Sequence, residues 1–160
     1  MRTQYVNNTL YRVKLNYLFK ELLHMANKRS WSATPPKKIK PTVPGSTQSM
    51  LKEKADKLID DVIKPQYVKP APTTDDYNYI ADIHSKWYRN YFYFCATYNC
   101  PSPNAISPSF ETKFARMEYV ADNKFNLAYM RHNEQWFEVF QDISMDECLK
   151  SIEENPVFTP

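Results

Sequence analysis

Arg116, Tyr129, Arg131, His132, Trp136 and Glu138 are the residues whose types and spacing could do chemistry together. A guanidinium fork matches a carboxylate or phosphate with two parallel hydrogen bonds, and Tyr and Trp rings stack on a planar ligand or base. His132 adds a group that can carry a proton or ligate a metal. All of them fall in residues 110–140, FETKFARMEYVADNKFNLAYMRHNEQWFEVF, which reads as three antiparallel strands joined by two tight turns.

Asp122-Asn123 supplies the first turn, because Asp and Asn accept the positive φ of a two-residue hairpin loop, and Asn133-Glu134 offers the second. With two-residue loops, Ala121 faces Lys124, Arg116 faces Tyr129, Tyr129 faces Glu138, and Arg131 faces Trp136. Strand alternation then sorts the side chains. Ala115, Met117, Tyr119, Ala128, Met130, Phe137 and Val139 make an apolar core face. Phe114, Arg116, Glu118, Leu127, Tyr129, Arg131, Trp136 and Glu138 make the other. That second face is either a ligand site or a structural ladder, with Arg116 paired to Glu118 or Glu138 and Arg131 stacked on Trp136.

Other chemistry is less well supported. His84 is a second candidate base or metal ligand, and Asp82 two residues earlier would share its strand face. Cys95, Cys100 and Cys148 include a single Cys-x4-Cys pair, whereas structural zinc sites pair their ligands at both ends, so no metal is expected. The single glycine, Gly45, excludes the glycine-rich phosphate loops of nucleotide-binding folds. No strained Gly-x-Ser-x-Gly turn supports a hydrolase, and no cofactor is implied.

The elements that must position these residues follow from the rest of the chain. Residues 1–45 hold nine Lys or Arg and one acid, and the remainder twelve against seventeen, so a basic tail precedes a mildly acidic domain. This argues against a domain-wide nucleic-acid footprint, though the tail could serve as a nucleic-acid arm. Residues 5–25 could form a basic amphipathic helix, for a membrane surface or as a presequence, or translation could start at Met25. Residues 26–45 read as a proline-rich linker. Residues 46–63 make the best helix, with Met50 or Leu51, Ala55, Leu58, Ile59 and Val62 as its stripe and Pro65 as its stop.

Residues 77–99 are rich in aromatics and read as two strands broken near Arg89-Asn90, with Tyr91, Tyr93 and Cys95 opposite Phe92, Phe94 and Ala96, although Ile80, Ile83, Trp87 and Tyr91 also fit a helical stripe that leaves residues 77–91 open to either reading. A proline-interrupted loop spans 100–109. Ser144 and Glu147 form a capping-box pair opening a last helix to Glu153, buried through Met145, Cys148, Leu149 and Ile152. An odd cysteine count without a secretory signal points to a reducing, cytoplasmic setting, and no apolar run is long enough to span a membrane.

Asn-Tyr-Ile at 78–80, Lys-Trp-Tyr-Arg-Asn-Tyr-Phe-Tyr-Phe at 86–94 and Pro-Asn-Ala-Ile-Ser-Pro-Ser-Phe-Glu at 103–111 carry a resemblance. So do Phe-Ala-Arg-Met-Glu-Tyr-Val at 114–120 and Tyr-Met-Arg-His at 129–132 with Trp136. Together they resemble a group of uncharacterised bacterial proteins over residues 26–158. The last half is similar to a bacterial domain of unknown function with a Trp…Tyr-x-Met-Arg…Trp core and a final helix. The resemblance implies a small cytosolic bacterial protein beginning near Met25 and carries no activity.

The expected architecture is one α+β domain over residues 46–160, an antiparallel sheet of four to five strands flanked by an N-terminal and a C-terminal helix. Its expected role is a non-enzymatic binding or regulatory module using the Arg/Tyr/Trp face on a protein, nucleic acid or small anionic ligand. The alternative is a small enzyme or sensor for an anion, with the arginines as clamp and His132 or His84 as proton carrier. An open, flat face with His132 in solvent distinguishes the first; a concave pocket uniting a histidine or carboxylate with the arginines distinguishes the second.

Overall fold

Asp122 and Asn123 take φ values of 46° and 59° and close a two-residue hairpin with Ala121 opposite Lys124. Arg89, at φ 57°, opens an equally tight turn at Arg89-Asn90. These turns and the loops between them fold a computed structural model that describes residues 41–72 and 77–160. The expected amphipathic helix of residues 5–25 and the linker up to residue 40 lie outside the described residues. What is described belongs to one compact unit, Ile39–Pro160.

Five strands, β1 (Tyr79–Tyr88), β2 (Tyr91–Asn99), β3 (Ser109–Ala121), β4 (Lys124–Met130) and β5 (Trp136–Ser144), form an antiparallel meander in sequence order. Helix α1 (Gly45–Leu58) precedes the sheet and α3 (Met145–Glu154) follows it. Both cover one sheet face, so the protein is α+β as expected. No described helix is long and apolar enough to cross a membrane.

The core lies between the helices and that inner face. Leu51, Ala55, Ile59 and Ile63 meet Ile83, Phe92, Phe94, Met117, Phe125 and Leu127, all at most 4 % exposed. The helical stripe thus runs through Leu51 at i, i+4 spacing; Met50 points outward. Pro65 does not stop the helix at residue 63. A π-turn over Ile59–Ile63 carries it into α2, Lys64–Tyr67, with Pro65 in the first turn. In a regular α-turn the proline ring would meet the Asp61 carbonyl, and the wider turn relieves that clash.

Polar bonds fix the helix on the sheet. Trp87 Nε1 donates to the Gln48 carbonyl at 3.1 Å, Ser85 Oγ to Asp56 at 2.7 Å, and Thr47 Oγ1 to Asn123 at 2.8 Å. Helix α3 opens with the expected capping box, Ser144 and Glu147 exchanging bonds, and buries Met145, Cys148, Leu149 and Ile152.

Among the departures from strict alternation, two in β3 set the faces around Arg116 and correct the sequence-based register. A bulge at Val120, between the pairs Tyr119↔Phe125 and Ala121↔Lys124, shifts β4 by one residue, so Arg116 faces Ala128 instead of Tyr129. Tyr129 and Leu127 thereby turn to the core, and Ala128 and Met130 to the outer face. At Phe114 the β2–β3 pairing steps from Phe94↔Ala115 to Cys95↔Lys113. Phe114 goes inward beside Ala115, while Glu111 and Lys113 join the outer face.

The turn after β4 is also longer than two residues. Met130 pairs with Trp136, the Arg131 and Gln135 backbones bond at 2.9 Å, and Glu134 takes φ 60°. Arg131 therefore sits in the loop and does not face Trp136, and Glu138 pairs with Ala128, not Tyr129.

Candidate ligand-binding face

The outer face of the sheet has no described element packed over it, which an antiparallel sheet tolerates when that face is polar. Here it is polar and aromatic together. Register places Tyr91 and Tyr93 of β2, Lys113 and Arg116 of β3, Ala128 of β4, and Trp136 and Glu138 of β5 on this side.

Arg116 is its centre. Its row runs from Tyr93 through Arg116 and Ala128 to Glu138. Because Ala128 is only a methyl group, the arginine stem can cross it, and the guanidinium carbon sits 4.6 Å from the Trp136 ring centroid. On its other side it is 4.8 Å from Tyr91. The crossing leaves Ala128 2 % exposed. It also buries the Arg116 Nε, which has no hydrogen-bond partner among the described residues. Tyr93 packs 5.7 Å from Trp136 and 6.0 Å from Tyr91, and Lys113 Nζ lies 5.3 Å from the Tyr93 ring. Burial raises the Tyr93 phenol pKa, with the Arg116 charge pulling the other way. The layer is thus a half-buried platform of three rings holding two cations.

Of the residues singled out from sequence, Arg116, Trp136 and Glu138 meet on this face. Tyr129 does not: it lies half-buried toward the helices, its ring 5.7 Å from Phe137 and 6.3 Å from Phe158. Arg131 is exposed in the loop, 5.7 Å from the Phe137 ring, and His132 is exposed beside it. Neither joins Arg116. Tyr91, Tyr93 and Lys113 were missed. The alternation of Tyr91 and Tyr93 with Phe92 and Phe94 marked a common face, but nothing in the sequence said which strand would lie beside Arg116.

A second group occupies the same face nearer β1. His84 stands directly opposite Cys95, and Glu111 lies one diagonal further on β3. His84 Nε2 is 3.1 Å from Glu111 Oε2, and Lys86 Nζ is 2.6 Å from Glu111 Oε1. The Lys86 bond, with His84 assisting, holds the Glu111 carboxyl below its ordinary pKa, and the same bond raises that of Lys86. Asp82, two residues before His84, bonds Lys64 at 3.0 Å. Cys148 lies on the buried side of α3, where burial pushes its thiol to about 12.

Two recesses lie apart from Arg116, the second sharing Tyr91 with this face. One recess is lined by Val62, Tyr67, Ile152, Glu153 and Phe158, and another by Pro41, Val43, Gln48, Arg89 and Tyr91. Neither joins an arginine to a histidine or carboxylate.

No curated protein and no solved structure matches the chain. The profile of one family does match, over residues 43–160, from just before α1 through the last turn after α3. On that match the chain belongs to the family described as a domain of unknown function, DUF3024.

Proposed function

We propose that this protein is a non-enzymatic binding module whose uncovered sheet face holds a planar anionic ligand. The ligand's ring would stack on Tyr91, Tyr93 and Trp136, and its carboxylate or phosphate would meet Arg116 and Lys113. One observation carries this reading. Arg116 is held between two rings at 4.6 and 4.8 Å on a sheet face over which no described element packs.

The shape of the face supports binding over catalysis. His132 is exposed and distant in register from Arg116, and the two recesses lack a convergent acid–base pair. The excess of acids after residue 45 favours a small ligand over a long nucleic acid. Cys95, Cys100 and Cys148 are free thiols, which fits a reducing compartment such as the cytoplasm.

A thermal-shift screen of the full chain tests the reading, because a ligand that binds only the folded state raises Tm with its saturation. Nucleotides and aromatic carboxylates are expected to raise Tm, and phosphosugars without an aromatic ring are not. Shifts with phosphosugars alone, or with neither class, would overturn it.

A further inference from the structure

The cluster at the β1 side of the outer face has the composition of a metal site. One imidazole, one thiol and one carboxylate project from three adjacent strands, and the ligating atoms of His84, Cys95 and Glu111 all lie within 4.8 Å of one another. A four-coordinate zinc with bonds of about 2.0–2.3 Å sets its donors roughly 3.2–3.8 Å apart. The His84–Glu111 approach of 3.1 Å falls just short of that spacing and needs only a slight opening. A side-chain rotation closing the widest gap by about 1 Å would bring in the thiol.

The geometry points to His84, Cys95 and Glu111 as a site for a borderline-soft divalent cation of the zinc or cobalt kind, with a fourth position open to water or a ligand. The donor set decides the class: a thiolate with an imidazole selects zinc-like ions over magnesium or calcium, which prefer all-oxygen cages. Sheet pairing makes the site rigid, since His84 and Cys95 are a direct cross-strand pair and the bulge at Phe114 turns Glu111 and Lys113 to the same side. The Cys95 residue is fully buried beneath half-exposed His84, so the ion would enter from the solvent side over the sulfur.

Without an ion, Lys86 and His84 occupy the Glu111 carboxylate, and burial raises the Cys95 thiol to about 11. Loading would form the S–metal, N–metal and O–metal bonds, release the thiol proton to solvent and displace the Lys86 ammonium. Lys86 thus serves as a built-in competitor for the carboxylate. This site uses none of Arg116, Tyr91 or Trp136, so it stands apart from the ligand reading above.

Cobalt titration of the reduced, full-length protein tests it, because thiolate coordination gives a near-ultraviolet charge-transfer band. The band is expected to saturate at about one equivalent. It should disappear in Cys95→Ser and His84→Gln, persist in Cys100→Ser, and reach its midpoint at lower cobalt in Lys86→Met. Should Cys95→Ser fail to fold, His84→Gln alone decides, since His84 is a partly exposed residue outside the core. A wild-type protein with no thiolate band, a band that survives in His84→Gln, or a band lost in Cys100→Ser would each overturn the site.

Discussion

Replacing Arg116 by methionine separates a functional arginine from a structural one. Two cation–π contacts hold the guanidinium, to Trp136 and Tyr91. Each contributes about 0.5–1 kcal/mol at such partly exposed positions. Against them stands the buried Nε, which has no partner among the described residues. A desolvated donor of that kind costs about 1–3 kcal/mol. Methionine keeps an unbranched apolar stem over Ala128 and retains a favourable sulfur–ring contact with Trp136. The opposing contributions nearly offset, so Arg116→Met is expected to change unfolding free energy by no more than about 1 kcal/mol in either direction. Urea unfolding of the full chain, followed by circular dichroism, measures this, and an unchanged m-value shows that the folded state is comparable. A loss above about 2 kcal/mol would refute the reasoning. Arg116 would then be a rung of a structural ladder, and the case for a ligand there would lose its main support.

The register correction gives a second expectation: Tyr129→Ala should destabilise by about 2 kcal/mol or more, since it removes a ring packed toward the core. It should leave ligand-induced thermal shifts intact, because Tyr129 is on the inner face. At α3, Ser144→Ala should cost about 1 kcal/mol in the same unfolding assay. Bonds from the Ser144 side chain and backbone hold the Glu147 carboxyl below its ordinary value of 4.5. Its contribution is therefore complete above that value and lost as pH falls through the depressed folded-state value. The stability gap between the wild type and Glu147→Gln should be widest near neutrality and shrink on acidification.

The legible parts of this fold were those governed by local chemistry. Asp122-Asn123 announced its hairpin through residues that accept positive φ, and Ser144 with Glu147 announced α3 three residues apart. The inner alternation of Phe92 and Phe94 was equally plain, whereas β1 competed with a helical stripe through Ile80, Ile83, Trp87 and Tyr91. Register was not legible, because a bulge adds one residue without changing residue type. Val120 and Phe114 each look like ordinary strand members, yet each changes which side its neighbours face. The five-residue connection from Arg131 to Gln135 adds a third slip. Slips at Val120 and at that loop offset each other, which is why Arg116 and Glu138 share a row as expected while the residue between them is Ala128. The His84–Cys95–Glu111 cluster was invisible for a different reason. Its members lie on three strands, and no ligand-spacing pattern in the chain encodes a cross-strand pairing.

Mapping a nucleotide titration onto backbone amide resonances of the full chain addresses the binding face most directly. The account expects shift changes concentrated at Tyr93, Lys113, Arg116, Ala128 and Trp136, and abolished in Arg116→Met. Changes centred on Gln48 and Arg89, or an identical response in the variant, would contradict it.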